Sequence, residues 1–80
     1  MTIATKEVQT LPQINKVLVV GGGGRENSLA WALKSCPGIE NVFVAPGNGG
    51  TEEHEGCTRI SVRETDTNGL TKTCLTEKID

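Results

Sequence analysis

An α/β fold, with a parallel sheet opened by a βαβ unit, is what the 80-residue sequence predicts, on three features. A continuous apolar run, Val17-Leu18-Val19-Val20, breaks at four consecutive glycines, Gly21 to Gly24. A helical pattern follows from Arg25 to Cys36. A second apolar run, Val42-Phe43-Val44-Ala45, breaks at Pro46-Gly47. Short apolar runs without alternation suit strands covered on both faces, as in a parallel sheet. A strand, turn, helix and strand within about thirty residues is the minimal crossover unit.

The first strand, Lys16 to Val20, is rich in β-branched residues, which pack well on a pleated surface. The glycines that follow cannot continue it. In the helix, Leu29, Ala32, Leu33 and Cys36 share one face at three- and four-residue spacing, and Trp31 points away from it. Pro37-Gly38 ends the helix. After the second strand, Pro46-Gly47-Asn48-Gly49-Gly50-Thr51 forms a loop that needs permissive backbone angles. Cys57 to Val62 reads as a third strand with Ile60 and Val62 on one face. Asp66 or Thr67 caps a second helix carrying Leu70, Cys74 and Leu75, weak because Gly69 and four threonines have poor helix propensity.

Composition bounds the rest. The chain is long enough for one domain, and its 35% hydrophobic content is below the ~45–50% apolar content usual for globular domains. With one Trp, one Phe and no Tyr, the core must come from Val, Leu, Ile and Ala. The net charge is −2 and the basic residues are scattered, so no surface suited to nucleic acid is expected. The apolar stretches are too short to cross a bilayer, so no membrane partner is expected. Residues 1–15 read as a flexible leader and 16–80 as the domain. Three cysteines without a C-x-x-C pair argue against disulfides or zinc and fit a reducing cytoplasm, with an organellar leader left open. His54, the single histidine, lies in the run Glu52-Glu53-His54-Glu55 and is expected in a solvated loop, with no metal site.

The chemistry centres on the first glycine turn. Backbone N–H groups at a helix start have no partner within the helix, and the helix dipole places partial positive charge there. Glycines without Cβ atoms let an anionic group come close. Gly21 to Gly24 supply that turn, with at least one of Gly22, Gly23 and Gly24 expected at positive φ, and Arg25 adds a full positive charge. The dinucleotide fingerprint G-x-G-x-x-G fails, because its third glycine falls on Glu26 or Asn27. No Gly-Lys-Ser/Thr follows the glycines, so a nucleotide P-loop fails too. A small sugar phosphate fits better, with Arg25 and the turn for its phosphate and Glu26 for hydroxyls or an amine.

Three stretches carry a family resemblance: Lys16-Val-Leu-Val-Val-Gly-Gly-Gly-Gly-Arg-Glu26, Leu29-Ala-Trp-Ala-Leu33, and Val42-Phe-Val-Ala-Pro-Gly-Asn-Gly-Gly-Thr51. Together they resemble the start of the phosphoribosylamine–glycine ligases of the ATP-grasp superfamily. The resemblance is strong over residues 16–51 and only one of pattern over 57–80. It implies an incomplete Rossmann-like (pre-ATP-grasp) domain, truncated before its last strands, that binds a substrate. It further implies a parent enzyme that uses ATP and Mg²⁺ to activate glycine as an acyl phosphate for attack by phosphoribosylamine. By the same resemblance, Gly22, Gly23, Gly24, Arg25 and Glu26 help hold phosphoribosylamine, and Pro46, Gly47 and Asn48 border the same cleft. The family usually has His where this chain has Asn27.

The departure from the family is length. Family members run to several hundred residues and carry their ATP and Mg²⁺ ligands beyond the position of Asp80. The 80 residues alone are therefore expected to bind neither ATP nor Mg²⁺ and to be inactive, the rest of the ligase chain being the natural partner. Two other readings stay open: a non-catalytic phosphate-binding module or remnant, and a dinucleotide-binding fragment of an oxidoreductase.

Overall fold

The computed structural model describes residues 14–80, and of the leader expected over 1–15 all but Ile14 and Asn15 lie outside the described residues. Three strands form a parallel sheet in the order β1-β2-β3: β1 is Lys16–Gly21, β2 is Asn41–Pro46 and β3 is Cys57–Arg59. Helix α1, Gly24–Lys34, joins β1 to β2, and a 3₁₀ turn, Thr51–Glu53, precedes β3. Helix α2, Thr67–Thr76, follows. The βαβ opening is thus present, and β1 and β2 run in register from Lys16 opposite Asn41 to Gly21 opposite Pro46.

β2 is the central strand, and its burial follows from that place. Val42, Phe43, Val44 and Ala45 are all buried, on alternating faces. Val19, Ala30, Val42, Val44 and Cys57 form the core, with Trp31, Leu33 and Ile39 packed against it. β1 was expected to be covered on both faces as well. It is an edge strand among the described residues, and Val20 is 45% exposed.

The buried face of α1 differs from the expected one. Asn27 and Ala30 are its buried residues, Leu29 is 52% exposed, and Ala32 and Cys36 are exposed. Leu33 alone of the four named leucine, alanine and cysteine positions packs on the core. Trp31 turns inward and stacks on His54, with ring centroids 6.1 Å apart and planes inclined by 22°. His54 is therefore half-buried and in contact rather than in a solvated loop. The small Ala30, fully buried, lets the helix backbone approach the sheet closely, and that rotation carries Leu29 outward.

β3 is shorter than the predicted Cys57–Val62. The ladder continues through Ile60 N–H to the Val44 carbonyl at 2.9 Å, then closes in a tight turn from Val62 N–H to the Ile60 carbonyl. α2 begins as expected at Asp66, whose carboxylate accepts from Gly69 N–H at 2.9 Å. Leu75, expected on its apolar face, is 76% exposed, while Thr73 is buried. The last residue returns to the first strand: Asp80 N–H donates to the Lys16 carbonyl at 3.0 Å, and Asn15 and Lys16 N–H donate to the Asp80 carboxylate at 2.8 and 2.9 Å.

Candidate functional site

Both glycine-rich segments leave the same, C-terminal edge of the parallel sheet, where ligands of open α/β sheets bind. In-register pairing sets Gly21 beside Pro46. The two loops are joined at once by Gly47 N–H donating to the Gly21 carbonyl at 3.1 Å. A Cβ at Gly22 would lie 3.2 Å from the Gly47 carbonyl oxygen and 3.5 Å from Pro46 Cγ, so the loops touch where neither has a side chain.

The glycines divide by role. None of Gly22, Gly23 and Gly24 has positive φ, contrary to the expectation for that turn; the positive angle falls one residue earlier, at Gly21, with φ +147°. The strand itself makes the bend there, so the next three residues enter the helix with ordinary angles, Gly23 at φ −93°. Gly47, at φ +65°, makes the matching bend in the second loop, and a side chain there would press on Thr51 and on the Arg59 stem. A Cβ at Gly23 would meet only the Glu26 carboxylate, and one at Gly24 would meet nothing within 4 Å. Gly23 and Gly24 therefore present an open backbone surface at the start of α1, and both are exposed.

Charge at this surface is mixed. Arg25 is exposed in the first turn of α1, and Arg59 reaches over from the end of β3 to donate Nε to the Pro46 carbonyl at 2.9 Å. Arg59 was not singled out in the sequence, where a lone arginine at a strand end carries no pattern. Glu26 reaches back one turn, its carboxylate accepting from Gly23 N–H at 3.0 Å. That bond uses one of the free donors of the helix start. Gly24 and Arg25 N–H make no hydrogen bond among the described residues.

The second loop is held from within. Asn48 N–H donates to Thr51 Oγ1 at 2.9 Å and Gly50 N–H to Asn48 Oδ1 at 2.8 Å, a local turn of the kind Asn favours. Asn48 Nδ2 donates across to the Gly22 carbonyl at 2.8 Å. Asn27, from α1, donates Nδ2 to Asn48 Oδ1 at 2.8 Å and accepts from the Thr51 hydroxyl at 2.8 Å. Thr51 is fully buried and Asn27 is 7% exposed. Of the residues expected to bind, Gly22, Gly23, Gly24, Arg25, Glu26, Pro46, Gly47 and Asn48 all stand at this edge. The amide of Asn48 is largely occupied by protein partners.

Elsewhere, a concavity of about 570 Å³ is lined by Lys34, Ser35, Glu40, Asn41, His54, Glu55 and Gly56. It lies at the other end of α1, at the N-terminal edge of β2, away from both glycine loops, and its charges oppose one another. Cys57 belongs to the core, and burial pushes its thiol up, an effect the Lys34 charge partly offsets. Among the described residues no group of three or more His, Cys, Asp or Glu side chains could hold a metal ion.

A three-stranded parallel sheet with a βαβ opening, whose first turn is glycine-rich and opens on a helix start, defines an incomplete Rossmann-like α/β domain. Residues 15–80 match the family model described as phosphoribosylglycinamide synthetase, N domain, and the chain belongs to that family. Among curated relatives, it is 45% identical over 64 residues to the phosphoribosylamine–glycine ligase of Allochromatium vinosum, across 80% of this chain. It is 46% identical over 65 residues to that of Escherichia coli K12, across 81% of this chain, and 47% identical over 62 residues to that of a Nostoc species, across 78%. In each case the chain spans about 15% of the relative's length. The expected family and fold are thus both found. No helix among the described residues is long and apolar enough to cross a membrane.

Proposed function

We propose that this chain is the sugar-phosphate-binding beginning of an ATP-dependent ligase that joins glycine to 5-phosphoribosylamine in purine synthesis. The observation that carries the reading is the open backbone of Gly23 and Gly24 at the start of α1, flanked by Arg25 and backed by the Pro46–Asn48 loop. A phosphate set there meets the unpaired N–H groups of Gly24 and Arg25 and the positive end of the helix dipole. Glu26 uses one carboxylate oxygen on Gly23 N–H. Its other oxygen is left for a hydroxyl or for the amine that must later attack. The amine nitrogen would gain the new bond to the glycine carbonyl carbon and lose a proton, and the leaving group would be phosphate from the activated glycine carboxylate.

ATP and Mg²⁺ do not fit the residues present. The described residues lack a cluster that could hold a metal ion, and the sequence lacks a P-loop lysine. No step through those groups is assigned to this chain. In this reading the rest of a longer ligase chain supplies them, the reaction takes place in the cytoplasm, and the 80 residues alone do not turn over.

The test is titration of the chain with ribose 5-phosphate, followed by amide chemical shifts. Gly24, Arg25 and Gly23 should move first. Arg25→Ala should weaken binding roughly three- to tenfold, more at low salt than at high salt, since an exposed charge is screened. Gly23→Val should weaken it through steric exclusion. Shifts confined to the concavity around Lys34 and His54 would overturn the site, and phosphate release from ATP and glycine by the repurified chain would overturn its inactivity.

A further inference from the structure

We infer that Asn27 is a positioning residue for the anion site: its carboxamide closes a clasp that fixes the second glycine loop against the first. This inference rests on the anion-binding reading and assigns it a residue that does not face the ligand. The hydrogen-bond directions leave one solution. Gly50 N–H can only donate and the Gly22 carbonyl can only accept, so Asn48 must present Oδ1 to the former and Nδ2 to the latter. Asn27 then meets Asn48 Oδ1 and must donate to it. Its own Oδ1 is thereby turned to Thr51, whose hydroxyl accepts from Asn48 N–H and must donate its single proton to Asn27. Three backbone groups thus dictate the orientations of three side chains, Asn48, Asn27 and Thr51.

Position 27 must therefore donate on one side and accept on the other, while buried. A carboxamide does this. An ionised carboxylate cannot donate, and an alkyl group can do neither. A neutral imidazole also offers one donor and one acceptor, but an imidazolium offers two donors and would face the Thr51 hydroxyl with no acceptor. Loss of the clasp would free the Gly22 carbonyl and the Pro46–Thr51 loop together. The ligand would then have to order them on binding, at a cost in affinity.

The experiment uses the chain with Asn27→Asp, Thr51→Val and Asn27→His, and reads two quantities. The first is amide exchange at Asn48 and Gly50, which needs no ligand. Exchange in the first two variants should quicken by about tenfold, from one or two lost hydrogen bonds, with α1 and the sheet still protected. The second is ribose 5-phosphate affinity, which should fall by about five- to tenfold in the same variants. The third variant provides a readout that a purely structural role would not move. Asn27→His should bind like the parent chain near about pH 8 and more weakly than the parent, at equal pH, near about pH 5.5, where imidazole is mostly protonated. Comparison at equal pH cancels the titration of the phosphate.

Tighter binding of Asn27→His at the lower pH would overturn the proposal, since an added positive charge would then be touching the ligand. Unchanged exchange in Asn27→Asp and Thr51→Val would overturn the clasp. Quickened exchange with unchanged affinity would overturn the positioning role. Absence of binding by the parent chain would instead overturn the anion site, and the exchange readout would still decide whether the clasp exists.

Discussion

At Gly24 the demands of the helix and of a ligand can be told apart. A Cβ there would meet nothing within 4 Å, and the residue is in the first turn of α1. Alanine should suit the helix better than glycine by up to about 1 kcal/mol. The expected outcome for Gly24→Ala is therefore a higher unfolding midpoint together with weaker ribose 5-phosphate binding, because the methyl group stands where the anion would approach. A rise in stability with no loss of binding would leave the glycine without a ligand role. The opposite case is Gly47, where φ is +65° and an added Cβ would lie 2.9 Å from Thr51 Oγ1. Gly47→Ala should cost about 1–3 kcal/mol in a denaturant titration, from backbone strain and contact together. The glycine turn between β1 and α1 was readable in the sequence because four glycines in a row break an apolar run. Which of them bends the chain was not, since φ depends on how the strand leaves the sheet.

Helix α1 shows where periodicity alone runs out. Apolar residues at 29, 32, 33 and 36 form one consistent stripe, yet the helix turns Asn27, Ala30 and Trp31 toward the sheet and loop instead. With apolar side chains spread around so short a helix, no stripe dominates. The choice falls to Ala30, small enough for close approach, and to Asn27, which has hydrogen-bond partners only on that side. β2, by contrast, was legible in full, because four adjacent apolar residues leave no face to choose between. The end of the chain makes a further prediction at this scale. Hydrogen bonds from Asn15 and Lys16 N–H hold the Asp80 carboxyl below its usual range, and burial opposes them weakly. A carboxylate with a depressed folded pKa adds stability above its unfolded value of about 3.9 and loses it as pH falls through the folded value. Exchange at the Asn15 and Lys16 amides should therefore be slow above about pH 4 and speed up, beyond the intrinsic trend, as the pH is lowered further. Asp80→Ala should show the fast behaviour at every pH. Identical profiles for the two chains would rule out the tether.

For the molecule as a whole, the open question is the outer edge of β1. β2 covers one side of it, and among the described residues its only hydrogen bonds on the other side are those of Lys16 with Asp80. Val17 to Val20 carry no charge or proline of the kind that protects natural edge strands. A polar backbone group kept from water without a partner costs about 1–3 kcal/mol, a large share of a small domain's net stability. We propose, from the family resemblance, that in a longer chain a further strand lies beside β1; the Asp80–Lys16 hydrogen bond is compatible with that path. Amides facing outward from Val17 to Val20 should thus exchange quickly in the 80-residue chain and slowly in one extended through the next strand. Strong protection in the monomeric short chain would mean that some other segment covers the edge.

The stacked pair at Trp31 and His54 gives the protein an optical reporter of its own. The sequence holds a single tryptophan, so all indole emission comes from one ring, 6.1 Å from the imidazole and packed between α1 and the stretch leading into β3. Emission therefore registers one event, the closing of the helix onto the far side of the sheet. Circular dichroism registers helix and strand wherever they form. If the two signals are lost at the same denaturant concentration, the three strands and α1 melt as one unit. If the fluorescence goes first, the third strand peels away while the first βαβ turn still stands.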